Sequence, residues 1–260
     1  MLDNQENSLN TKRETNKIGL ETFALERNNI LDRPVNILIK DLKKEIEKEY
    51  NEHNNWLKIK ENDPVRYNEL EEIAEQTGHS IDYQMHDNIR GISYLEEELI
   101  TLYEMKIIYA FKHLEIEVKN LISSAYDDKS ISKSSKWDNL INYLNSKNID
   151  VKAIKQYREV NQLRTVNNSL KHSNEHLDKS LNGIEEFKKA EYINYEILEK
   201  FYSRIEDSSS TFLSFLSFAI YDNLYVFDEE KIDRISNSIV LRMDKENSDK
   251  LIEKIKEKYE

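Results

Sequence analysis

The residues best suited to chemistry lie in one run, Asn161-Gln162-Leu163-Arg164-Thr165-Val166-Asn167-Asn168-Ser169-Leu170-Lys171-His172-Ser173. Positions four apart on a helix stack along one edge, so this spacing aligns Arg164, Asn168 and His172 over two turns. A guanidinium is a permanent planar clamp for phosphate, an amide can orient a phosphate or an imidazole, and an imidazole gives or takes a proton near neutral pH. Together these groups meet the needs of metal-free RNA cleavage through the 2′-hydroxyl, which makes Arg164, Asn168 and His172 the catalytic candidates. Lys171 is a second cation beside them, and with Asn167 and Arg158 it completes a candidate RNA-binding set. The run also has a plainer reading. Cations favour helix C-termini, where His172 would complement the helix dipole and cap exposed carbonyls.

The run resembles the motif of the HEPN superfamily, small helical-bundle proteins of bacterial toxins, antiviral defence systems and RNA processing. Family members carry an arginine, usually followed by a polar residue, and a histidine four to six residues later. Here Asn167-Asn168-Ser169-Leu170-Lys171-His172 has the common spacing, with Asn167 at the arginine's place and Arg164 about 5 Å, one turn, earlier. The resemblance covers roughly residues 80–205. It implies an all-α bundle, a homodimer whose protomers face a shared RNA backbone, and a metal-independent endoribonuclease. In that reading His172 is the general base or acid, and Arg164, helped by Lys171, stabilises charge on the scissile phosphate. The alternative is a non-catalytic helical scaffold that binds a protein partner through acidic or apolar helices.

Other chemistry finds little support. With no cysteine, thiolate metal sites and cysteine nucleophiles are excluded. His172 and His176 are four apart but lack the carboxylate of a metalloprotease pair, and His79 and His86 straddle a helix start, so no metal is expected. There is no Gly-rich phosphate loop, nucleophile elbow or dinucleotide fingerprint, and no cofactor is expected. Glu96-Glu97-Glu98 reads as a solvated helix face. Tyr192, Tyr195 and Tyr202 could stack on bases, yet at helical spacing tyrosines more often fill a core.

Helices must position the motif. Four glycines and two prolines are too few for a chain of many strands and tight turns, which predicts an all-α fold, an elongated antiparallel bundle with additional N- and C-terminal helices around a HEPN-like core. Residues 1–30 read as a flexible arm or a frayed first helix. Residues 31–79 read as an N-terminal helical region, with one helix over Val35 to about Lys60 stopped by Asp63-Pro64 and a shorter one ending at Gly78. The bundle spans 80–227. Its longest stripe runs from an N-cap at Ser80 to Ala125, with Gly91 permitting a bend or a close contact. A short Trp137 helix follows, then the motif helix over about 151–173 behind Asp150. A further helix from about Ile184 would run on through 208–227, an apolar segment suited to a buried core or a subunit interface. Residues 228–260 form a charged helical tail.

The net charge of −12 disfavours a protein that binds nucleic acid over its whole surface. Charge is uneven, however. Residues 61–104 hold two basic side chains against twelve acidic, whereas 151–180 hold six basic against three acidic, so the motif sits in the basic stretch. No run of about 18 apolar residues could span a bilayer and no secretory leader is visible, so a cytoplasmic protein without a membrane partner is expected.

Overall fold

The structure, a computed structural model, describes residues 2–23, 31–134, 136–172 and 178–259; the side chains of residues 2–9 and of His172 lie outside the description. The described residues are all-α, with no strand among them. Helices are α1 (Leu2–Thr22), α2 (Asp32–Asn62), α3 (Pro64–Gln76), α4 (Ile81–Tyr126), α5 (Trp137–Ser146), α6 (Tyr157–His172), α7 (Tyr195–Ile205), α8 (Ser208–Tyr225), α9 (Glu229–Val240) and α10 (Lys245–Lys256). Over the predicted N-terminal arm the chain takes the helical alternative, as α1.

Local chemistry accounts for most of the boundaries. Asp63 ends α2 before Pro64, and its carboxylate then caps α3 by accepting the Arg66 N–H at 3.1 Å. Ser80 caps α4 through its Oγ, which accepts the Tyr83 N–H at 3.2 Å, while Glu71 accepts the Ser80 hydroxyl and the Ile81 N–H. Gly78 (φ 79°) and Asn148 (φ 62°) hold the left-handed position after α3 and α5. In each case two backbone bonds close the helix: His79 to Ala74 and Gly78 to Glu75, then Ile149 to Leu144 and Asn148 to Asn145. At Gly91 α4 continues without interruption, and a Cβ there would meet nothing within 4 Å, so its glycine answers no close contact.

Two of the expected helices are shorter than their apolar spacing suggests. The stretch from Val151 opens as a 3₁₀ turn, Val151–Ala153, capped by Asp150, and α6 begins only at Tyr157 because Gln156 adopts φ 66°. Likewise the chain from Ile184 makes a 3₁₀ turn at Glu185–Phe187, and Asn194 then caps a separate α7 by accepting the Ile197 N–H at 2.9 Å. The charged tail is two helices, α9 and α10, each started by an aspartate cap, Asp228 and Asp244.

The chain divides into two compact units. The middle unit comprises Asn28–His113 and Glu159–Ser208. Its buried side chains include Leu99, Ile107, Leu163, Val166, Phe187, Leu198 and Phe201, with Phe187 and Phe201 meeting edge to face at 5.6 Å. A smaller cluster of Tyr67, Ile81 and Met85 packs with Trp56, Leu57 and Leu70. The terminal unit comprises Met1–Arg27, Leu114–Arg158 and Ser209–Glu260. Leu114, Leu121, Leu140, Leu144, Phe212 and Leu216 are buried in it, and Trp137 and Tyr157 lie 6.5 and 6.4 Å from the Phe212 ring. Ser217 donates to the Leu20 carbonyl at 2.5 Å and so ties α8 to α1. Helix α8 is thus core along Phe212, Leu213, Leu216 and Ile220, while Phe215 and Phe218 remain exposed. No residue of α9 or α10 is buried. No helix among the described residues is long and apolar enough to cross a membrane.

Candidate functional site

All six motif candidates fall on α6. Leu163, Val166, Asn167 and Ser169 face inward, which leaves Asn168 and Lys171 exposed and Arg164 half-buried with a partner of its own. Arg164 and Asn168 therefore share the outward edge that the four-residue spacing requires, and the Asn167 amide donates to the Asn168 carbonyl at 3.0 Å, fixing that side chain's direction. Asn167 itself is 1% exposed and presents a polymer no surface; its own Oδ1 has no hydrogen-bond partner. Arg158 is exposed and is the last α6 residue of the terminal unit, whereas Glu159 onward belongs to the middle unit. The backbone of His172 closes α6; its side chain, and the pairing of His172 with His176, lie outside the described residues. Among the described residues no group of histidines and carboxylates could hold a metal ion.

A second polar site, absent from the sequence reading, lies in the middle unit between α2, α4 and α7. It is a cleft of about 470 Å³ lined chiefly by Asn36, Lys40 and Lys43, by Tyr103 and Lys106, and by Glu199 and Tyr202. Glu199 accepts both Lys43 Nζ, at 2.6 and 2.7 Å, and the Tyr103 hydroxyl, at 2.8 Å. Burial pushes the Glu199 carboxyl up, but the bonds from Lys43 and Tyr103 outweigh it and hold the group below the ordinary 4.5. Burial and the neighbouring Glu199 charge drive the Tyr103 phenol well above its ordinary range.

Lys106 forms the floor, with a side chain only 4% exposed. Its ammonium donates to Asn36 Oδ1 at 2.8 Å and lies 4.1 Å from the centroid of the Tyr202 ring, a cation-π distance. Asp32 stands 3.8 Å away, an ion pair beyond hydrogen-bond distance, and its Oδ1 accepts the Tyr202 hydroxyl at 2.6 Å. Burial lowers the Lys106 pKa, against the opposing pull of Asp32, Glu206 and Glu199. The one signal of this site in the sequence is an ionisable residue set among Tyr103, Ile107 and Ala110 on an otherwise buried face of α4. No family model matches the chain, and no curated protein or solved structure matches it either.

Proposed function

We propose that this chain is a HEPN-like, metal-independent endoribonuclease that works as a homodimer. The observation that carries the reading is the register of α6, which sets Arg164 and Asn168 on one outward edge with Lys171 exposed beside them. His172, one further turn along that edge, accepts the proton of a ribose 2′-hydroxyl as its oxygen attacks the adjacent phosphorus. The bond to the 5′-oxygen breaks, that oxygen takes up a proton from solvent, and a 2′,3′-cyclic phosphate remains on the other fragment. Arg164 and Lys171 stabilise the charge gathering on the phosphate, and Asn168, held by Asn167, orients it. A toxin or antiviral setting follows from the family resemblance alone.

The test is cleavage of total and defined RNA in EDTA by wild type, His172→Ala and Arg164→Ala proteins matched for helical circular dichroism and oligomeric mass. Loss of cyclic-phosphate product in both folded variants supports the assignment; cleavage abolished by EDTA, or surviving both substitutions, removes it.

A second reading rests on the enclosure of Asn167, the position at which the family carries its arginine. A buried amide there suits a bundle that keeps the fold and acts as a non-catalytic interaction protein. An inactive wild type that forms a stable complex with a protein partner favours this reading.

A further inference from the structure

The Lys106–Asp32 ion pair is loose, at 3.8 Å, and does not by itself account for an ammonium this enclosed. Lysine is seldom fully buried unless a carboxylate meets it directly, because removing an ammonium from water is costly. Here the carboxylate nearest Lys106 is engaged by Tyr202, and the direct partner is a neutral amide, Asn36. An ammonium has three donors, so one bond at 2.8 Å leaves capacity in a side chain that lines an open cleft.

We infer that the cleft between α2, α4 and α7 binds a small phosphate-bearing molecule, with its oxyanion seated on Lys106. The volume, about 470 Å³, is that of a small-molecule pocket. The cations around it are all lysines: Lys106 at the floor and Lys40, Lys43 and Lys44 along α2. Lysine meets phosphate oxygens as a point charge, whereas planar carboxylates are best matched by the guanidinium fork, which this lining lacks. Of the acidic lining residues, Glu199 is already engaged by Lys43 and Tyr103. Lys44 is engaged in turn by Asp41 at 3.2 Å, so Lys40 and Lys106 face Glu47 and Glu206 in the rest of the lining, and Lys106 and Lys40 supply the donors for a ligand oxyanion. The Tyr103 and Tyr202 rings supply apolar walls for whatever the phosphate carries.

Inorganic phosphate is the probe, titrated into the full chain by calorimetry and thermal melting against sodium chloride of equal ionic strength, with acetate as the carboxylate comparison. Phosphate is expected to bind one per chain and raise Tm, acetate to bind more weakly. Lys106→Met, which keeps the apolar stem, is expected to weaken phosphate binding by at least about tenfold. Lys40→Gln, a solvated charge at the cleft, should weaken it by only about threefold. No phosphate effect beyond that of chloride, wild-type affinity in Lys106→Met, or acetate binding as tightly as phosphate overturns the proposal. Should Lys106→Met not fold, the nitrogen resonance of the wild-type Lys106 ammonium decides the matter: it moves on adding phosphate if the site is occupied, and stays in place if the proposal is wrong.

Discussion

The Tyr202 hydroxyl donates to Asp32 at 2.6 Å and thereby joins the last turn of the middle unit's α7 side to the first turn of α2, 170 positions away in the chain. The same Asp32 oxygen lies 3.8 Å from Lys106, whose ammonium sits over the Tyr202 ring, so the three side chains form one cluster. Removing the hydroxyl in Tyr202→Phe keeps the ring and takes this one donor from the carboxylate. The loss is expected to be about 1–2 kcal/mol, read from the urea midpoint at unchanged m. An unchanged midpoint would show that the contact contributes nothing to stability.

Glu199 gives the middle unit a pH dependence of defined sign. Its folded pKa lies below the ordinary 4.5, so the carboxylate's contribution is present above the unfolded value and fades as pH falls through the folded one. Glu199→Gln should therefore lower Tm near neutrality and flatten the decline of Tm on the acid side below about pH 4.5. Parallel acid limbs in wild type and variant would contradict this account.

Asn167 offers a direct test of whether α6 accepts an arginine at this position. At 1% exposure the site encloses its side chain, so Asn167→Arg is expected to cost at least about 3 kcal/mol in chemical denaturation. Asn167→Leu removes the unpartnered carbonyl and should be neutral or stabilising by up to about 1 kcal/mol. A stable Asn167→Arg protein would mean that α6 can turn this position outward.

Asn148 sits at φ 62° in the motif that closes α5. Glycine there should be tolerated within a few tenths of a kcal/mol, whereas Asn148→Val should cost about 1–2 kcal/mol because a β-branched residue is strained in that backbone region. Equal thermal midpoints for the two variants would exclude strain as the controlling factor.

Much of this architecture is legible in the chain because local rules govern it. Asp63-Pro64, Gly78 and Ser80 mark helix ends through chemistry that involves only near neighbours, and the stripe from Met85 to Ala125 foretells the single helix α4. The breaks before α6 and α7 escape such reading. Val151 and Phe187 are buried in 3₁₀ turns, so apolar spacing continues across backbone that is not α-helical, and Gln156 takes φ 66° without a glycine to announce it. The register of α6 is equally legible, and with it the outward edge of Arg164 and Asn168. The lysine cleft is not, because Lys106 meets Asn36 across 70 residues and Tyr103 meets Glu199 across 96, and pairings of that range leave no local pattern.

The division of the chain also sets an order of manufacture. The middle unit is made from Asn28–His113 and Glu159–Ser208, so every residue it needs has been translated once Ser208 is added. The terminal unit needs Phe212, Leu213 and Leu216 from α8 to fill its core. During synthesis the α5 segment therefore leaves the ribosome before α8, with Trp137 still without the Phe212 ring it lies against. In that interval the nascent chain offers this apolar surface to a chaperone or to a neighbouring chain.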